Sequence, residues 1–393
     1  KKADKEKGER AIYSVYVEGL DADGDGLVAE DGVGFVDLDR NFMHRWPEHD
    51  LNAGVIPLSE PEAAAIAKFV IDHRNIVEAV TFGRHDNLIN VPDGKGKDAS
   101  GEGPKDLDEG DVGYYKEVSK LFKELTGQER APKEETAGSF HAWLYAQRGI
   151  PNFATVVWGR PEASKPPEEK KDEGAASQPA GDATTQADAG AAPKDGDDKK
   201  KSKKDEKPKP ADEEAAEWLK YSDRDRGGAG FIEWKEFDHP TLGTVEIGGF
   251  VPGFQMNPPV DQLDELAEKQ TAFIVAMIDK RPRLTIDGPT VKKLASGLYE
   301  VRLGIINEGY LPTATAMARK AESVRPTVVR VSTPVENIVA GERVSRVQGI
   351  GGSGERWTGH WIIRATDGSD ITIELVNPQL GDQTLTVKAE EKN

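Results

Sequence analysis

Residues 34–92 read GFVDLDRNFMHRWPEHDLNAGVIPLSEPEAAAIAKFVIDHRNIVEAVTFGRHDNLINVP, and the rest of the chain is best read outward from them. A short polar loop carries Arg40, whose planar guanidinium is suited to gripping a carboxylate through two hydrogen bonds. Taken alone, such an arginine is as readily one half of a surface ion pair. Ser59 and Glu62 around Pro61 make a capping-box pattern, predicting a helix over 63–73 with Ile66, Phe69 and Val70 turned inward. Residues 76–82, IVEAVTF, then read as a mostly buried strand of the kind found in parallel sheets.

Downstream, Tyr115, Val118, Leu121 and Phe122 share one face of a helix predicted over 112–125, with Gly127 as its stop. Residues 139–147, SFHAWLYAQ, are expected to be helical, and 152–158, NFATVVW, to be a second apolar strand. Helices alternating with buried strands indicate an α/β layer architecture over 11–160. Upstream, 11–20 alternates as a strand does, and DADGDGLVAEDG comes after it. Asp21, Asp23 and Asp25 on a tight turn with Gly26, closed by Glu30, form a set of oxygen ligands suited to calcium. A solvated acidic turn is the plainer reading, because Gly32 stands where an EF-hand would place its bidentate glutamate.

From 161 to 217 there is no Val, Ile, Leu, Met, Phe, Tyr or Trp. Without large apolar side chains a segment does not offset its ordering entropy, so a disordered mixed-charge linker is expected there. Residues 218–281 are rich in aromatics and turns and end in a helix predicted over 261–280; they are expected to complete the first domain. In 282–393, about seven short β-branched runs separated by turns predict an all-β sandwich of immunoglobulin-like type, serving as an accessory domain.

The 393 residues carry a formal net charge of −18, and no basic patch stands against it, which argues against nucleic acid or an anionic membrane as a partner. The absence of cysteine removes disulfides, thiol nucleophiles and thiolate-zinc sites. No apolar run is long enough for a membrane span, so membrane insertion is not expected. Residues 1–10 form a charged linker rather than a signal peptide, and resemble the interior of a longer protein.

The DLDRNF loop, the SEPE helix start, and the strand leading to LINVP resemble the zinc metallocarboxypeptidases of the carboxypeptidase A type. AGSFHAWLYAQRGIPNFATVVW resembles the last active-site stretch of the same family, and the downstream sandwich is similar to that of its bacterial multidomain members. The resemblance implies a carboxypeptidase-like α/β/α domain with a mixed sheet, whose N-terminal half precedes this sequence. It also implies a zinc cofactor, and places Arg40 on the arginine that holds the substrate's terminal carboxylate, with Asp39 where the family has asparagine. The family's third zinc ligand falls on Gly83, and its general base on Val157; neither residue has the chemistry required. His85, two residues past Gly83 and on the same face of an extended strand, is the nearest candidate zinc ligand.

The resemblance leaves two functions open. One is a carboxypeptidase-like protein that keeps the fold and Arg40 but not hydrolysis, and binds peptide C-termini or cell-envelope peptides. The other is an active zinc carboxypeptidase with ligands on an upstream segment. A structural secreted multidomain protein is the third reading. In all three the chain is expected outside the cytoplasm, in the cell envelope or secreted.

Overall fold

The computed structural model describes residues 36–99, 101, 103–161, 210–240 and 243–390. The strand expected over 11–20 and the proposed calcium ligands Asp21, Asp23, Asp25 and Glu30 lie outside these residues. The chain divides into two compact units, one made of residues up to Gly159 together with Pro258 onward, the other of Arg160–Asn257.

In the first unit, the DLDRNF loop forms one 3-10 turn, Leu38–Arg40, whose N-cap Asp37 accepts the Asp39 amide. Asn41 is fully buried and organises the chain as far as Glu60. Its Nδ2 donates to the Ala53 carbonyl (2.7 Å), the Ile56 carbonyl (3.2 Å) and Ser59 Oγ (3.0 Å), while its Oδ1 accepts the Glu60 amide. Ser59 is thereby drawn into the loop. The predicted capping box does not form, because helix α1 (Pro61–Asp72) starts after Glu60 without a side-chain cap. Its buried face also differs from the prediction. Ala63, Ala67 and Val70 are buried, while Ile66 and Phe69 are about half exposed and Phe69 stacks on His73. Small alanines allow the helix backbone to approach its neighbours closely, so they claim the inner face over larger side chains.

Strand β1 (Ala79–Phe82) pairs in parallel with β2 (Asn152–Thr155), from Ala79 opposite Asn152 to Phe82 opposite Thr155. Among the described residues this two-stranded parallel sheet stands in place of the expected mixed sheet. Helix α2 (Val112–Thr126) ends at Gly127 in the left-handed conformation, as glycine permits. Helix α3 (Phe140–Arg148) buries His141, Trp143, Leu144 and Tyr145. Phe122 of α2 meets Phe273 edge-on at 4.9 Å, joining α2 to α5 (Leu263–Ile278) across a long stretch of sequence. Their core also holds Tyr115, Leu88, Phe153 and Met277.

The last third of this unit holds eight strands in two antiparallel sheets. One has the order β5 (Leu284–Ala295), β6 (Leu298–Asn307), β10 (Arg356–Arg364), β8 (Ile338–Ala340). The other has the order β12 (Gln383–Lys388), β11 (Asp370–Val376), β7 (Thr327–Val331), β9 (Val344–Val347). Val301, Leu303 and Trp361 of the first sheet share one hydrophobic core with Val329, Ile371 and Ile373 of the second. The Asn307–Gly309 turn is set by Asn307, fully buried, which donates to the Leu311 carbonyl and accepts the amides of Arg283 and Gly309. Asn307→Ala would orphan these groups, and is expected to lower the unfolding free energy by about 1–3 kcal/mol in urea denaturation.

The second unit corrects two expectations. Helix α4 (Pro210–Asp225) begins inside the segment read as disordered over 161–217. Alanine and glutamate dominate its first turns and favour a helix even without apolar bulk, and its later turns carry Trp218 and Tyr221, which pack edge-on and tilted against Phe254. Residues 218–281 do not act as one segment completing the first domain. A hairpin of β3 (Phe231–His239) and β4 (Gly243–Phe250) belongs to the second unit, whereas α5 belongs to the first. No helix of the described residues is long and apolar enough to cross a membrane.

Candidate functional site

The parallel pairing of β1 and β2 brings the two positions singled out from sequence to neighbouring strand ends. Gly83 directly follows β1 and donates its amide to the Thr155 carbonyl (3.0 Å), and Val157 lies two residues beyond β2. The carboxyl ends of parallel strands are where open α/β sheets place their ligand chemistry. The two positions themselves, a glycine and a valine, supply neither a ligand nor a base. Val157 is 40% exposed, and its carbonyl accepts from Gln270 Nε2.

The space beside Gly83 is taken by Asp39. A Cβ on Gly83 would meet Asp39 Oδ2 at 3.7 Å. That same oxygen lies 2.7 Å from His85 Nδ1, and Asp39 Oδ1 accepts the amide of Phe140 (2.8 Å), the first residue of α3. A carboxylate there satisfies an otherwise orphaned helical N–H and complements the positive end of the helix. His85 is 2% exposed, and its Nε2 faces the Glu135 carbonyl at 3.0 Å. With one ring nitrogen on a carboxylate and the other on a carbonyl, His85 has no nitrogen free to ligate a metal in this arrangement.

Arg40 points its Nη2 at Asp50 Oδ2 (2.6 Å), and its Nε is buried without a hydrogen-bond partner. The guanidinium is therefore held by one acid through a single nitrogen, with donor capacity left over. Gly138 keeps the loop close to α3. It adopts φ +74°, donates to the His44 carbonyl and accepts the Phe42 amide, and a Cβ there would lie 2.2 Å from the Arg40 carbonyl oxygen. Phe42 in turn stacks on Trp143 and tilts against Phe140.

Beside this knot lies a small cleft lined by Asp86, Asn87, Asp106, Thr136, His141 and Tyr145, with Pro92, Leu107 and Ala142 as its apolar wall. Nothing in the sequence singles out His141, where SFHAWLY reads only as a helical run; its ring lies 5.3 Å from that of His85. Burial, with the adjacent His85 adding to it, pushes the His141 imidazole down to about 3. His44 is also held below its usual range, by burial first and by neighbouring Arg45 second. Arg45 itself is bound to Asp106, Glu135, Thr136 and the Lys105 carbonyl.

The family resemblance implies zinc, and the donor set does not fit it. Among the described residues no three or more histidines, aspartates and glutamates are grouped so as to hold a metal ion. A zinc site needs at least three such ligands around an open position.

Residues 29–172 match the family model of zinc carboxypeptidases, and residues 283–388 match a domain of unknown function. No curated protein matches the chain. Among solved structures, a β-glucosidase from Streptomyces venezuelae in complex with D-glucose is 13% identical over 27% of this chain and 15% of that one, with a TM-score of 0.15. A β-glucosidase from Bifidobacterium adolescentis is 15% identical over 27% of this chain and 17% of that one, also at 0.15. The chain thus spans less than a fifth of either enzyme, and the overlap is too slight to define a fold. The family match covers the arginine loop, α1, both parallel strands and α3, and residues 29–172 are the zinc-carboxypeptidase-like part of this chain.

Proposed function

We propose that the carboxypeptidase-like region binds the free carboxylate end of peptides through Arg40 and does not hydrolyse them. One observation carries this reading: at the ends of adjacent parallel strands stand Gly83 and Val157, and the space between loop and sheet is filled by the Asp39–His85 pair. Loss of a general base alone commonly costs a factor of roughly 10²–10⁴ in rate, and loss of a zinc ligand removes the activated water as well. Arg40 keeps the fork geometry that a carboxylate needs, and Asp50 is the competitor that a ligand displaces. The two-sheet domain, read as an immunoglobulin-like accessory module, attaches this binding function to a cell-envelope or secreted setting.

Arg40 and Asp50 give opposite signs in one assay. With peptides bearing a free C-terminus, Arg40→Ala is expected to weaken binding by about tenfold or more, the worth of a charge-assisted hydrogen bond. Asp50→Asn is expected to strengthen it, because the competing anion is removed. Amidated peptides should bind no better to wild type than to Arg40→Ala. Stoichiometric zinc in the purified protein, together with release of C-terminal residues that a chelator abolishes, would establish hydrolysis and reject the reading.

A further inference from the structure

We infer that the exposed face of α5 is a docking surface for a second copy of this chain, the two helices packing antiparallel about a twofold axis near Thr271. Residues 270–278, QTAFIVAMI, carry no charged side chain, so this helix is apolar over more of its circumference than one buried face requires. Gln270, Phe273 and Met277 form the buried face, on the side of Phe122 of α2. Leu263, Ile274, Val275 and Ile278 remain 42–56% exposed. At about 100° per residue, Leu263, Ala267, Thr271, Ile274 and Ile278 fall in one arc beside the buried face, at the three- and four-residue spacing of a helix–helix seam. A helix apolar on both sides is one that is covered on both.

Charge along the helix selects an antiparallel copy as the occupant. Asp264 and Glu265 stand in the first turn, and Lys280 and Arg281 follow the last. Turned end for end, each copy sets its acidic start beside the basic end of the other and aligns the two helix dipoles favourably, whereas a parallel pair sets like beside like. Glu265 is paired with Lys269 (2.6 Å), so Asp264 is the acid that meets the partner. Arg281 uses Nε on the Ile278 carbonyl, which keeps the fork of its guanidinium for that contact. In this register Leu263 lies opposite Ile278, and Ala267 opposite Ile274, a small side chain against a large one. The exposed fractions leave roughly 300–400 Å² of apolar surface on each copy, the size of patch that marks an interaction site. Doubled across the axis it belongs to the small class of interfaces, so a dimer with a micromolar dissociation constant is expected.

Sedimentation velocity of the full chain over a concentration series is expected to show a monomer–dimer equilibrium. Ile274→Glu, at a position exposed in the single chain, should keep the circular dichroism of wild type and raise the dissociation constant about tenfold or more. The chain has no cysteine, so introduced cysteines report the pairing directly. Under mild oxidation Thr271→Cys should cross-link to itself, and Leu263→Cys to Ile278→Cys when the two proteins are mixed. Leu263→Cys alone should not cross-link, because an antiparallel pair holds the two Leu263 positions about 22 Å apart along the helices. The mass of a single chain up to about 1 mM, a dimer that Ile274→Glu leaves unchanged, or efficient cross-linking of Leu263→Cys to itself would overturn the assignment. So would co-sedimentation of a monomeric chain with phosphatidylcholine vesicles that Ile274→Glu abolishes, since the face would then belong to a lipid surface.

Discussion

Asp111→Ala is expected to lower the unfolding free energy by about 3–5 kcal/mol, a large share of the 5–15 kcal/mol typical of a folded domain. Asp111 is 1% exposed at the N-cap of α2. One carboxylate oxygen accepts the Ala316 amide (2.7 Å), and the other accepts the Met317 amide (3.1 Å) and the Tyr145 hydroxyl (2.7 Å). Ala316 and Met317 open the short helix α6 (Ala316–Lys320), which precedes the second sheet, so a single carboxylate ties three helices together. Truncation orphans three donors at once, two of them in fully buried hydrogen bonds worth about 1–3 kcal/mol each. Urea denaturation measures the loss, and Asp111→Asn, which keeps one acceptor oxygen, should show roughly half of it. A loss below about 1 kcal/mol in Asp111→Ala would show that α6 is held by other contacts.

A pH dependence built from two opposed groups gives the second large effect. His141 faces His85, His44 and Asp39, and stays neutral in the folded chain down to about pH 3, whereas in the unfolded chain it takes up a proton near 6.5. Its depressed value contributes stability that is complete above 6.5 and is lost as pH falls toward 3, about 2 kcal/mol by pH 5. Glu78 faces Arg281, but burial outweighs that attraction and pushes its carboxyl up from 4.5 to about 7, with Oε2 left without a partner. Its raised value contributes stability that is complete below 4.5 and is lost as pH rises to 7, about 3 kcal/mol over that interval. Between pH 4.5 and 6.5 the two slopes oppose each other, so the wild-type chain should vary little in stability there. Glu78→Gln is expected to be more stable than wild type by about 2–3 kcal/mol at pH 7.5 and equal to it at pH 4.5. His141→Gln should lose less stability than wild type between pH 6.5 and 4.5. An equal difference between Glu78→Gln and wild type at both pH values would show that Glu78 does not titrate between them.

Local chemistry makes much of this fold readable. Gly127 past an amphipathic run, the apolar NFAT strand and the β-branched runs after residue 282 each decide their own conformation, and α2, β2 and the strands after residue 282 form where the sequence predicts helix and strand. The misreadings come from partners distant in sequence. Asp39 is legible as a neighbour of Arg40, but its work at the start of α3 depends on Phe140, 101 residues on. His85 reads as a candidate zinc ligand only while its surroundings are unknown; Asp39 on one nitrogen and the Glu135 carbonyl on the other are supplied by the fold. On α1, a count of apolar residues favours Ile66 and Phe69, and closeness of approach favours Ala63 and Ala67. His141 has no sequence signal beyond membership of a helical run, since its meaning lies in burial.

The pairing of α2 with α5 has a consequence for how the chain closes on itself. Roughly a hundred residues, Arg160–Asn257, separate β2 from α5 in sequence, though Phe153 and Phe273 share one core. The entropy of closing a flexible loop grows only with the logarithm of its length, and each doubling adds about 0.6 kcal/mol. A flexible connection between Gly159 and Pro258 would therefore cost the first unit little more closure entropy at twice the length.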